Sequence, residues 1–295
     1  MKIRKSSLLL FGEGGSGKTT ATLSMLKLAD KLPGLNLRFL STDPNTYEGI
    51  ESGIELFNLK LKEGQLYYKH CEQAPHLQLD TESVAKNFDE NFVRKTNKEA
   101  MEVKTSNRVK YNLFGSILMG MAQYKGMDWV SQKEVNLGDY LTWNENTIFV
   151  VDGLTSIIDA LSKVVRGNRI ISVLSDYKDI QANLENLVIS PLTKSARCGL
   201  ILLAHPSLSP DPLVKQPPKY EDKIMKVYPK TAGIQLNGVL SSYFKETVFC
   251  YYDSGSDKYY WAGRKSGIGT SVRRIPKSDK LVPDLTKYPV FWNEG

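Results

Sequence analysis

One octapeptide constrains this chain more than any other feature: Gly12-Glu13-Gly14-Gly15-Ser16-Gly17-Lys18-Thr19. It cuts off an apolar run, Leu8-Leu9-Leu10-Phe11, and apolar residues at helical spacing (Ala21, Met25, Leu28, Ala29) follow Lys18. A continuous apolar run suits a strand buried on both faces, and the glycines free the backbone for a sharp turn. The spacing therefore predicts a strand, a tight loop and a helix, the repeating unit of an α/β fold with a mostly parallel sheet flanked by helices.

The rest of the chain extends that pattern. A second strand is expected from Leu35 to Leu40, after the Pro33-Gly34 break, closing on Ser41-Thr42-Asp43-Pro44, with a short helix from Glu48 to Phe57. Thr147-Ile148-Phe149-Val150-Val151 closes on Asp152 and Gly199-Leu200-Ile201-Leu202-Leu203-Ala204 closes on His205-Pro206; both read as buried parallel strands, with a long helix from Asp176 to Lys194 between them. Thr247–Tyr252 and Lys258–Ala262 predict a C-terminal β-hairpin around Asp253-Ser254-Gly255-Ser256, followed by a polar tail with X-Pro breaks. The pattern weakens between about Asp80 and Glu145, which reads as an insertion or helical subdomain within a single domain over residues 1–295. Ser207–Asn237 lacks periodicity and reads as a long loop, a class that is usually functional or disordered.

Composition narrows the class. With 41% apolar and 24% charged residues in 295, the chain can bury a core and is neither disordered nor fibrous. Its net charge of +7 is unevenly placed: Pro206–Gly295 holds 14 basic and 9 acidic residues, a bias compatible with a polyanionic partner. The N-terminal apolar run is too short for a signal-peptide core and no stretch reaches bilayer length, so a cytoplasmic location is expected, without a membrane partner. Three scattered cysteines fit a reducing compartment. His70, Cys71 and His76 lack a fourth ligand and match no common zinc spacing.

The octapeptide is a complete GxxxxGK[ST], placed after a strand and opening a helix, the context in which backbone N–H groups and the helix N-terminus cradle nucleotide phosphates. Gly12, Glu13, Gly14, Gly15, Ser16, Gly17, Lys18, Thr19 and Thr20 are the expected nucleotide-binding residues, with Lys18 on the β- and γ-phosphates. Thr19 and Asp152 are the expected Mg²⁺ ligands. Gly153, not a carboxylate, follows Asp152, so a water-activating base must come from elsewhere; Asp43 and Glu48, at the end of the second strand, are the candidates, and spacing does not choose between them. His205 is either a γ-phosphate sensor or a satisfied structural residue.

Together these segments resemble the RecA-like ATPase core, and more specifically the phage ATP-binding proteins of the Sak type, which are linked to single-strand annealing and recombination. The resemblance rests on Gly12–Thr19, Leu40–Asp43, Thr147–Asp152, Ile201–His205, Pro229-Lys230-Thr231-Ala232-Gly233, Tyr243–Val248 and Trp261–Gly267, and covers most of the chain outside 80–145. It implies ATP and Mg²⁺ as cofactors, a ring or filament of identical subunits, and single-stranded DNA as partner, with a single-strand-binding or replication protein as a possible further one. Arg264 and Lys265 are, by that resemblance, fingers completing a neighbour's nucleotide site. Lys163, Arg166 and Arg169 are on one DNA-binding loop, and Lys215, Lys219, Lys223, Lys226 and Lys230 on a second, where Tyr220 and Tyr228 would stack on bases. The family carries Glu where this chain has Asp43, which implies slower hydrolysis. Two alternatives stay open: a partitioning-type switch ATPase, although Glu13 stands where that family has its signature lysine, and a nucleotide-responsive scaffold or loader with little turnover.

Overall fold

The computed structural model describes residues 1–71, 112–166, 174–211, 214–215, 217, 223–231, 236 and 239–293. The chain opens with β1 (Lys2–Ile3) and β2 (Ser7–Gly12), then the glycine loop and α1 (Lys18–Thr22), prolonged by 3₁₀ turns over Leu23–Leu28. β3 (Asn36–Ser41), α2 (Thr46–Leu56) and β4 (Leu66–His70) follow. After α3 (Asn112–Ala122) come β5 (Tyr124–Asp128), β6 (Glu134–Gly138), β7 (Thr147–Asp152), α4 (Leu154–Arg166) and α5 (Leu174–Leu184). The last part holds β8 (Gly199–Ala204), β9 (Pro206–Pro210), β10 (Met225–Pro229), β11 (Glu246–Asp253), β12 (Lys258–Ala262) and β13 (Trp292–Asn293).

Among the described residues, nine strands form one sheet in the order β12-β11-β2-β8-β7-β3-β4-β5-β6. From β11 to β4 every neighbouring pair is parallel, and an antiparallel strand or hairpin closes each edge. This is the mixed α/β architecture expected from the alternation of apolar strands and helices. The strands alternate sides as their period of two requires. Leu8, Leu10, Ile148, Val150, Ile201 and Leu203 share one core; Leu9, Phe11, Phe149, Val151, Leu200 and Leu202 share the other. Fully burying such side chains contributes about 1.5–3 kcal/mol each, so the central strands, which bury both faces, are the most strongly fixed part of the molecule.

Three regions depart from the sequence reading. The expected helical insertion contributes a helix, α3, but also two strands: Tyr124 and Met127 face opposite sides of β5, and the buried Tyr124 hydroxyl donates to the carbonyl of Phe39 on β3 at 2.8 Å, tying the edge hairpin to the sheet interior. Part of the expected loop Ser207–Asn237 is a two-stranded ribbon, β9 with β10; its flanking prolines hid the alternation. The C-terminal tail is core rather than polar appendage: Leu285, Val290 and Phe291 are buried, and β13 pairs with β1. A β-carbon at Gly199 would lie 2.9 Å from the Phe291 ring, so the glycine admits the tail against β8. The helix expected to Lys194 stays helical but widens into π-type turns over Glu185–Ile189 and Pro191–Ser195.

Candidate functional site

Register brings the site together. Ser41 pairs with Asp152, Asp152 with Leu203, and Phe11 with Ala204. The carboxyl ends of β2, β8, β7 and β3 therefore lie in a row, the place where open parallel sheets bind ligands. β8 intervenes between the glycine-loop strand and the Asp152 strand, which sets His205 between them.

The loop's geometry depends on glycine at three points. Gly15 and Gly17 adopt φ of 71° and 76°, left-handed conformations that other residues resist. At Gly12 a β-carbon would come within 2.1 Å of the Cys250 carbonyl oxygen. Lys18 folds back into this loop: its Nζ donates to the carbonyls of Gly12 at 2.9 Å and Glu13 at 2.7 Å, and to Ser16 Oγ at 3.3 Å. The residue is buried, and desolvation lowers the ammonium's pKa below that of a free lysine, with the nearby acidic groups opposing the shift. Gly12 and Glu13 thus serve the site by holding Lys18, while Gly14, Gly15, Ser16, Gly17, Thr19 and Thr20 line the cleft itself.

Asp152 receives two hydroxyl hydrogen bonds on one oxygen: Thr19 Oγ1 donates to Oδ2 at 2.8 Å and Thr46 Oγ1 at 2.9 Å. Thr46 Oγ1 also lies 2.6 Å from Ser41 Oγ, and both side chains are buried. Ser41 in turn grips the next loop, accepting from the Asp43 N–H at 3.0 Å and donating to the Asp43 carbonyl at 2.9 Å. Burial raises the Asp152 carboxyl's pKa above the ordinary value, and the two hydroxyl donors pull it back only in part. A hydroxyl and a desolvated carboxylate in contact are hard oxygen donors of the kind Mg²⁺ takes, so Thr19 and Asp152 fit that ion, which when bound would neutralise phosphate charge.

Of the two candidate bases, Asp43 borders the cleft whereas Glu48 is exposed on α2 and lies outside its lining. Asp43 Oδ1 accepts from the backbone N–H of Asn45 at 2.9 Å and from its side-chain amide at 3.1 Å, a turn that leads into α2. His205 also borders the cleft; its backbone N–H donates to Thr155 Oγ1 at 3.3 Å and its carbonyl accepts from Lys230 N–H at 2.7 Å.

The cleft encloses about 760 Å³, within the range of small-molecule sites. Its helical wall depends on Gly49 and Gly53, where β-carbons would sit 3.0 Å from the Thr19 and Leu23 side chains, so α2 packs directly on α1. Sequence reasoning missed this seam, as it missed Ser41 and Thr46; the glycine pair four apart inside the expected helix was its one visible signal. The hairpin adds Tyr259, and the tail Pro283, to the same cleft.

The basic residues lie elsewhere. Lys163 and Arg166 occupy the last turn of α4, about 14–18 Å along the helix from its start beside Asp152; Arg169 lies outside the described residues. Lys215 is exposed, Lys223 and Lys230 are half-buried, and Lys219, Tyr220 and His76 lie outside the described residues. Arg264, Lys265, Lys226 and Lys277 line a separate depression of about 470 Å³. Lys265 Nζ sits 3.9 Å from the Tyr251 ring centroid, and Lys226 is 3.6 Å from Asp211. Tyr228 is not available to stack on a base: it is buried, its hydroxyl donates to Asp211 Oδ1 at 2.7 Å, and Gly269 makes room for its ring. Among the described residues no group of three or more His, Cys, Asp or Glu converges on a metal position, and no helix is long and apolar enough to cross a membrane.

No family model matches the chain, and no curated protein matches it. Among solved structures it is similar to a KaiC-like protein from the hyperthermophilic archaeon Pyrococcus horikoshii OT3, at 13% identity over 87% of this chain and 77% of that one, with a TM-score of 0.31. It is also similar to a second solved structure, an ATPase domain, at 14% identity over 86% of this chain and 72% of that one, with a TM-score of 0.29. Likeness at these TM-scores adds nothing to what the sheet order and the cleft themselves show.

Proposed function

We propose that this chain is a RecA-type P-loop ATPase that binds ATP with Mg²⁺, hydrolyses it, and assembles on single-stranded DNA for recombination, annealing or replication of the phage type. One observation carries the reading. β8 ends at His205 in the nucleotide cleft and passes directly into β9, whose partner β10 brings Lys226 to the cationic depression beside Arg264 and Lys265. A change at the γ-phosphate therefore has a short route, covalent into β9 and hydrogen-bonded across to β10, to positive charge that suits a phosphodiester backbone or a neighbour's nucleotide. Lys18 and the loop hold the phosphates, Thr19 and Asp152 the metal ion, and Asp43 orients the attacking water; Glu48, on the outer side of α2, is left without that role. Arg264 and Lys265 are absent from their own chain's cleft lining, as fingers serving an adjacent copy would be. The test is ATP turnover with and without single-stranded DNA: stimulation together with salt-sensitive DNA binding is expected, and absence of both would overturn the DNA reading.

A second reading, a nucleotide-responsive module with little turnover, draws support from Asp43. Its Oδ1 is already engaged by Asn45, and a short carboxylate so occupied is a poor general base. Stable ATP binding with turnover unaffected by Asp43→Asn would favour it.

A further inference from the structure

A nucleotide has a base as well as phosphates, and the hairpin that brings Tyr259 to the cleft offers a surface suited to one. Trp261 and Leu281 exchange both backbone hydrogen bonds, at 2.9 and 2.8 Å, as an antiparallel pair. Tyr259 lies two residues from Trp261 and Pro283 two residues from Leu281, and both border the cleft. Tyr259 stands beside the phosphate loop, its Cδ1 3.5 Å from where a β-carbon on Gly17 would sit. Its ring is braced by Tyr252, with centroids 5.2 Å apart, yet the residue is 47% exposed. The buried core neither needs nor hides this face; its next-but-one neighbour Trp261 is fully buried.

We propose that Tyr259 and Pro283 form a nucleobase subsite, in which the base of the bound nucleotide stacks on the Tyr259 ring while Pro283 supplies an apolar edge. Stacking uses the π-face that every base presents, so the subsite adds affinity for the nucleoside end of the ligand without touching its phosphates. The inference rests on the phosphate-site reading and extends it from the triphosphate to the base.

The test compares two ligands on the full chain in the presence of Mg²⁺: ATP, and inorganic tripolyphosphate, which lacks the base. Tyr259→Ala is expected to weaken ATP binding about 5- to 150-fold, the range of base–aromatic stacking, and to leave tripolyphosphate within about twofold. Tyr259→Phe keeps the ring and is expected to bind ATP like the parent. Pro283→Ala shifts ATP in the same direction by less. An unchanged ATP affinity in Tyr259→Ala, or an equal loss for both ligands, overturns the subsite, the latter making Tyr259 a prop for Gly17. Lys18→Ala separates the two readings: it should weaken both ligands, and if it weakens neither, the phosphate-site reading falls instead.

Discussion

The glycine-loop cleft and the cationic depression both present positive charge, but they are built in opposite ways. In the cleft a single ammonium, Lys18, is buried and held by three oxygen acceptors of its own loop, and the facing carboxylate, Asp152, is buried and held by two hydroxyls. In the depression Arg264 is exposed, Lys265 rests on a tyrosine ring, and Lys226 shares Asp211. Desolvated, pre-aligned charges act strongly on a ligand and are screened little by salt; exposed ones act weakly and fade as salt rises. The first design suits a small triphosphate held in place, the second a long polyanion gripped and released.

The contrast breaks most readily at Lys18. Lys18→Ala is expected to lower kcat/KM for ATP by at least about 100-fold, measured by steady-state phosphate release; a loss of only a few-fold would mean that the cleft is not the catalytic site. Next in size is the double variant Arg264→Ala/Lys265→Ala. It should keep ATP binding by the isolated chain within about twofold yet cut turnover by about 10- to 1000-fold. Mixing it with Lys18→Ala subunits should then restore activity if these cations serve a neighbour, and no restoration would assign them to DNA alone.

A smaller effect concerns stability. Burial raises the folded-state pKa of Asp152, so the fold favours its protonated form. The contribution is fully present below the ordinary carboxylate value and is lost as pH rises through the raised one, which leaves the ionised Asp152 a cost to the nucleotide-free protein at neutral pH. Asp152→Asn is accordingly expected to raise the melting temperature at pH 7 by about 2–4 °C, with the gain shrinking toward pH 4, while abolishing Mg²⁺-dependent turnover. A lowered melting temperature would show that the two hydroxyl donors already stabilise the charge. The smallest effect belongs to the depression: Lys226→Gln should reduce the slope of log affinity against log salt for single-stranded DNA by about 0.7, with ATP affinity unchanged.

The two regions also differed in legibility. The cleft's framework could be read in the sequence because its parts are local. Leu8–Thr19 encodes strand, turn and helix start in twelve consecutive residues, and Asp152 and His205 each end an unbroken apolar run. What could not be read depends on register. Ser41 and Thr46 meet Asp152 only because β3 pairs with β7, and Tyr259 reaches Gly17 only because β12 folds back on β11. The ribbon β9–β10 escaped notice because Pro206, Pro210 and Pro229 mimic a loop, although proline is tolerated on the edges of so short a ribbon. The buried tail escaped for another reason: Leu281, Leu285, Val290 and Phe291 follow neither a helical nor a strand period, since they fill gaps under the sheet from irregular backbone. Tyr228 shows the converse error, an aromatic among lysines that reads as a stacking platform but is consumed by the core.

The central claim is that occupancy of the cleft is felt in the depression through β8 and β9. The most direct test is the affinity for single-stranded DNA at one fixed salt concentration, with and without ATP and Mg²⁺, for the parent and Lys18→Ala. Nucleotide is expected to change the parent's DNA affinity at least about fivefold and to leave Lys18→Ala unmoved; DNA affinity that is absent, or identical with and without nucleotide in the parent, would contradict the claim.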